Sequence, residues 1–144
     1  MLTREEICRL IPHRDPFLWL DEVVEHSENR LTARKLVSPD LDVFRGHYPG
    51  QPIFPGVLLC EAAMQAGAIL IATQGTTVEK TGHAPVATRM NNVKFRQMVK
   101  PGDVLDIEVE LTERLADAFF LAAKIRVAGR VAVQLDFACT LAKI

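Results

Sequence analysis

Between Gly56 and about Thr73 the chain reads GVLLCEAAMQAGAILIAT. Gly67 is the only breaker inside that run, and its length and composition predict a helix. Glu61 and Gln65 are its only strongly polar residues. A surface helix carries a polar face; this one has none, so it must be enclosed on nearly all sides. Ala62, Ala63, Ala66 and Ala68 keep it thin enough for strands to approach closely. The run still falls short of the roughly 20 apolar residues a membrane helix needs.

The enclosing material is legible as strands. Asp103–Leu111 alternates, with Leu105, Ile107, Val109 and Leu111 on one face and Asp106, Glu108 and Glu110 on the other. Val131–Leu141 repeats the pattern, setting Val131, Val133, Leu135, Phe137, Cys139 and Leu141 against Ala132, Gln134, Asp136, Ala138 and Thr140. Period two with one wet face marks half-buried antiparallel strands. PFLWLDEVVEH (16–26) and Arg30–Val37, separated by Ser27-Glu28-Asn29, predict a first hairpin. Thr3-Arg-Glu-Glu6 fits a capping box, so a short helix is expected over 4–10, stopped by Pro12. After a polar loop (74–85), strands are expected over 86–99 and 103–115, divided by Pro101-Gly102, with a turn at Ala128-Gly129-Arg130 between the last two. An antiparallel sheet curved around one long helix satisfies both burial patterns, giving an α+β class and one domain over 1–144. Such a sheet leaves end strands unpaired, and pairing across a dimer would cover them.

The bulk properties narrow the function. A net charge of −1 argues against a nucleic-acid or membrane-surface partner. Three cysteines, Cys8, Cys60 and Cys139, are odd in number and lack metal-ligand spacing. They fit a reducing, intracellular setting. The charged start MLTREEICRL is no signal peptide, so a cytoplasmic location is expected.

The chemistry concentrates in GHYPGQPIFPGVLLCEAAMQ, residues 46–65. Pro39, Pro49, Pro52 and Pro55, with Gly46 and Gly50, exclude regular structure over 39–55. Proline stiffens the loop around His47, and glycine lets backbone approach a ligand. Glu61, on the apolar helix, is costly unless paired or protonated, which makes it an acid or base candidate or a structural carboxylate. Gln65 lies one turn on, on the same face, placed to orient Glu61 or to bond a ligand. Pro55-Gly56 opens the helix, so the N–H groups of Gly56 and Val57 form an oxyanion or anion site by geometry. Acid, base and oxyanion donor together suit chemistry beside a carbonyl. Cys60 reads as packing, because adjacent helix positions point about 100° apart. His13, His26 and His83 lack an organised setting and read as structural or exposed. Lys94, Arg96 and Lys100 alternate along one expected strand, either as a solvated face or as a docking patch for an acidic partner or a phosphate.

The 46–65 stretch resembles the core motif of the β-hydroxyacyl-[acyl carrier protein] dehydratases of FabZ type. Ile11-Pro12-His13-Arg14-Asp15-Pro16-Phe17 is similar to that family's N-terminal I-P-H-R-x-P-F. Val93-Lys94-Phe95-Arg96, then Val99-Lys100-Pro101-Gly102-Asp103, resembles its later block. The blocks follow in family order across nearly the whole chain. The resemblance implies a hot-dog fold and homodimers, commonly trimers of dimers, with His47 of one subunit facing Glu61 of its neighbour. It implies a 3-hydroxyacyl substrate on the phosphopantetheine arm of acyl carrier protein, a trans-2-enoyl product, and no metal or redox cofactor. By the same resemblance His47 handles the C2 proton, Glu61 the departing hydroxyl, and the Gly56 N–H the thioester carbonyl. Glutamate at 61, where related dehydratase-isomerases carry aspartate, implies dehydration without isomerisation. Met64 departs from a common alanine and Met90-Asn91 from a common I-D pair. The sole tyrosine, Tyr48, lies inside the motif, so the gating tyrosine of some members is absent. Two other readings fit the same fold. A thioesterase would use the helix carboxylate and leave His47 idle; a non-catalytic acyl-binding protein would leave both idle.

Overall fold

A computed structural model describes all of residues 1–144. Helix α1 spans Arg4–Leu10, and the Thr3 hydroxyl oxygen accepts a hydrogen bond from the Glu6 N–H at 3.2 Å, as a capping residue should. The helix gives way to extended backbone at Ile11, because a residue before proline avoids the helical region. Helix α2 spans Gly56–Ala72, and twelve of its seventeen residues are buried.

Six strands form one sheet: β1 (Glu22–His26), β2 (Arg30–Leu36), β3 (His83–Phe95), β4 (Val104–Leu115), β5 (Ala118–Val127) and β6 (Arg130–Lys143). Their order is β1-β2-β4-β5-β6-β3, and every neighbouring pair is antiparallel. The chain leaves the sheet after β2 and returns at the far edge as β3, with α2 in the connection. The helix touches β2, β3, β4, β5 and β6, so the sheet curls around it. Leu105, Ile107 and Val109 of β4, and Val133, Leu135, Phe137 and Cys139 of β6, face inward as the alternation assigns and are at most 3% exposed, but Ala132 and Ala138, set by it on the wet face of β6, are buried as well. Gly67 is where the sheet comes closest. A methyl group there would meet the Phe137 ring at 2.7 Å and Leu121 at 3.1 Å. The β5–β6 turn places Ala128 and Gly129 at φ of +50° and +81°, the handedness a two-residue hairpin turn needs. This α+β, hot-dog arrangement is the one expected. No helix is long and apolar enough to cross a membrane.

Four expectations are corrected. The 39–55 stretch, expected to hold no regular structure, forms one 3-10 turn over Asp42–Arg45 that buries Phe44. The strand expected over 16–26 is confined to Glu22–His26. Leu18, Trp19 and Leu20 are all buried in succession, which a half-exposed strand cannot arrange, and the backbone at Phe17 and Trp19 is held by a side chain of α2 instead. The loop over 74–85 contains a short helix, α3 (Val78–Thr81), and the first residues of β3. The strand expected over 86–99 ends at Phe95, so only Lys94 of the three basic residues lies on it. Arg96 and Lys100 sit in the following connection, although all three are exposed.

Candidate active site

The loop before α2 is closed on itself around His47. The His47 carbonyl accepts from the Ile53 N–H at 3.0 Å, and the His47 Nδ1 lies 2.7 Å from the Ile53 carbonyl oxygen. A carbonyl only accepts, so Nδ1 carries a proton, and in the neutral form of the ring the lone pair is left at Nε2. Tyr48 stacks on the ring with centroids 4.1 Å apart. The next residue, Phe54, donates its N–H to the Val99 carbonyl and buries its ring against Trp19 and Phe44, with centroids 5.6 and 6.4 Å away. The histidine is thus aimed by a loop anchored in the core.

The loop runs into α2 at Pro55. The N–H groups of Leu58 and Leu59 both reach the Pro55 carbonyl, while those of Gly56 and Val57 find no acceptor in the chain. Two free donors at a helix N-terminus are what an oxyanion needs. Gly56 lets the Phe95 ring lie close over the helix start; a methyl group there would meet that ring at 2.8 Å and displace it. Val57 leaves its own side chain 73% exposed.

Glu61 follows on α2 with its side chain 24% exposed, so it is partly open rather than enclosed. Its Oε2 accepts from Gln65 Nε2 at 3.0 Å; its Oε1 has no partner in the chain. Gln65 is 1% exposed, and its amide is fully engaged. Besides Glu61, its Nε2 donates to the Phe17 carbonyl at 2.8 Å, and its Oε1 accepts from the Trp19 N–H at 2.9 Å. That leaves Gln65 no donor for a ligand and makes it the tether of Glu61. His47 and Glu61 are joined through the core, since Trp19, held by Gln65, packs against Phe54 from the histidine loop. Within one chain they share no hydrogen bond or ion pair.

His13 is the residue that sequence reasoning passed over. Its Nε2 lies 3.7 Å from Glu61 Oε2. Burial, its largest influence, holds its pKa below the ordinary 6.5, Glu61 pulling it up and Arg14 pushing it further down. Its one signal was its place in the I-P-H-R block, beside the arginine that fixes its backbone. The His83 ring bonds only the Thr81 carbonyl, and His26 is exposed. Burial pushes the Cys60 thiol up, consistent with a packing role. Burial, and then the neighbouring Glu61 charge, push the Cys139 thiol up to about 11.

Lys100 lines a groove of about 490 Å³ with Gln51, Pro52, Ile53, Met98 and Pro101, beside the histidine loop. A larger hollow of about 550 Å³ lies elsewhere, over β1, β2, β4, β5 and β6. Its Arg30–Glu110 and Arg126–Glu108 pairs, at 3.1 and 2.7 Å, bind one another, so it carries none of the chemistry.

Residues 11–136 match the model of the FabA-like domain. The chain is 43% identical over 112 residues to the 3-hydroxyacyl-[acyl-carrier-protein] dehydratase FabZ of Lactococcus lactis, covering 78% of this chain and 72% of that protein. It is 41% identical over 138 residues to the FabZ dehydratase of Geobacter metallireducens, covering 95% and 91%. Among solved structures, the dehydratase heterocomplex ApeI:P from Xenorhabdus doucetiae superposes with a TM-score of 0.80 at 21% identity, over 94% of this chain and 90% of that one. A hypothetical thioesterase from Streptococcus pneumoniae with coenzyme A gives 0.63 at 16%, over 85% of each chain. At these identities the two structures attest the hot-dog fold alone. The matched family domain and the full-length relatives together place the chain in the FabA-like family, among its FabZ-type dehydratases.

Proposed function

We propose that this chain dehydrates 3-hydroxyacyl thioesters carried by acyl carrier protein to trans-2-enoyl thioesters, in fatty acid biosynthesis, at a site shared between two subunits. The observation that carries the reading is the 2.7 Å contact between His47 Nδ1 and the Ile53 carbonyl oxygen. With its Nδ1 proton committed to Ile53, Nε2 is the base, on a stiff loop that runs directly into the helix start carrying two free N–H groups. The thioester oxygen takes those donors from Gly56 and Val57, which stabilise the enolate that forms when Nε2 removes the C2 proton. Glu61, in its carboxylic-acid form with the proton on Oε1, delivers that proton to the 3-hydroxyl, and the C2 proton taken by His47 later returns to Glu61 to reset the pair. The C3–O pair leaves with water, and the C2 electrons form the double bond.

His47 and Glu61 share no hydrogen bond or ion pair within one chain, which supports completing the site with Glu61 of a second copy. The outer edge of β3 is unpaired and exposes Val86 and Met90, a surface that a second β3 would cover as a homodimer, itself a unit of a trimer of dimers. Lys94, Arg96 and Lys100 form a basic rim suited to the acidic carrier and the phosphate of its arm. A carrier-bound substrate and three unpaired thiols fit a cytoplasmic setting.

The test is to supply an enoyl-pantetheine thioester and follow both loss of its conjugated absorbance and release of free thiol. Hydration without thiol release is expected, abolished by His47→Ala and Glu61→Gln. Thiol release without hydration would assign a hydrolase instead.

A further inference from the structure

The dehydration chemistry leaves His13 unexplained, and its surroundings are built rather than incidental. The Arg14 guanidinium donates to the carbonyls of Cys8, Ile11 and His13 at 2.7, 2.8 and 2.7 Å, which pins the backbone that carries the ring. The ring lies over α2, with Nε2 3.7 Å from Glu61 Oε2 and Nδ1 sealed from solvent without any hydrogen-bond partner. A buried N–H without an acceptor is costly. A proton on Nδ1 would be such an orphan and would turn the Nε2 lone pair toward the carboxylate lone pairs. A proton on Nε2 removes both problems and points an N–H at Glu61.

We propose that His13 is a positioning residue for Glu61: its Nε2–H, together with the Gln65 amide, claims Oε2 and turns Oε1 toward the substrate. The 3.7 Å separation is longer than a hydrogen bond, as such contacts often are before substrate tightens a site. The other groups facing Glu61 agree with this division. Gln65 on α2 already holds Oε2, and Cys139 on β6 stays a neutral thiol. The burial that holds His13 neutral supports a ring acting as donor rather than as counter-ion. Arg14, the charge beside it, spends its hydrogen bonds on backbone carbonyls.

The inference rests on the dehydratase reading, and its test separates the two. An asparagine amide reaches only as far as Nδ1, whereas a glutamine amide reaches as far as Nε2. In the full chain, His13→Asn is expected to lower kcat for enoyl-pantetheine hydration about tenfold with KM unchanged, while His13→Gln stays within about threefold of the parent. Equal kcat for the two variants, or a loss confined to KM, would overturn the proposal. If His13→Asn does not fold, His13→Ala carries the test: added imidazole restores kcat if the donor matters and leaves it unchanged if it does not. Glu61→Gln is assayed alongside. Full activity in that variant brings down the dehydratase site itself, whereas an inactive Glu61→Gln beside an unaffected His13→Asn brings down only the role of His13.

Discussion

Gln65→Met separates what the tether does from what the core does. Methionine keeps the unbranched shape and much of the volume of glutamine, so packing of this 1% exposed residue is largely preserved. Three hydrogen bonds are lost, at 2.9 Å to the Trp19 N–H, 2.8 Å to the Phe17 carbonyl and 3.0 Å to Glu61. A buried backbone group left unpaired costs about 1–3 kcal/mol. The Trp19 N–H bears the full cost because its bond is buried; the Phe17 carbonyl bears less because its bond is only part-buried. The loss should therefore be about 2–4 kcal/mol, a large share of a typical domain's total. Urea unfolding followed by Trp19 fluorescence, the only tryptophan signal, reads it directly. With a slope of about 1–3 kcal/mol per molar, the midpoint should fall on the order of 1–2 M. Glu61 loses its only hydrogen bond within the chain, so kcat should fall about tenfold with KM little changed. A midpoint within about 0.3 M of the parent, with kcat intact, would refute both the tether and the burial argument behind it.

Gly67→Ala gains about 1 kcal/mol of helix propensity but drives a methyl group into Phe137 and Leu121, both at most 2% exposed and unable to yield. Overpacking of about 1–3 kcal/mol offsets that gain and leaves a net loss of up to about 2 kcal/mol, lowering Tm by up to about 6 °C; a raised Tm would show that the sheet gives way around α2. The lowered pKa of His13 sets a pH dependence. Above pH 6.5 the ring is neutral in both states and its contribution is complete. As pH falls below 6.5, the unfolded chain binds a proton that the fold resists, and stability is lost. His13→Gln should shrink the drop in urea midpoint between pH 7.5 and 5.5, and an equal drop in both proteins would contradict this. Charge reversal at Lys94, Arg96 or Lys100 should raise KM for carrier-linked substrate and spare small thioesters, whereas equal effects on both would reject docking.

The fold was legible because its signals are local and periodic: the all-round apolar run at 56–73, the alternation of 103–111 and 131–141, and the Thr3 cap. Residues 16–20 misled because consecutive apolar residues read equally well as strand or as buried irregular chain. What decides between them is a side chain 46 positions away, the Gln65 amide that replaces ladder hydrogen bonds. The reach of β3 misled similarly, since Arg96 donates its N–H to the Ala132 carbonyl beyond the strand's end. At the site, His47 and the helix start stood out because proline and glycine mark them in the sequence. Gln65 as tether and His13 as neighbour did not stand out, because both depend on contacts that only tertiary packing creates. No local pattern tells a histidine at position 13 that it lies over residue 61.

The central claim is that His47 and Glu61 act from different subunits. It is tested most directly by mixing two inactive variants, His47→Ala and Glu61→Gln, through unfolding and reassembly. A mixed dimer then holds one site with both residues intact and one with neither. Random pairing makes half the dimers mixed, so activity should return to about a quarter of the parent's. Mixtures that exchange subunits yet stay inactive would place both groups in one chain and contradict the account.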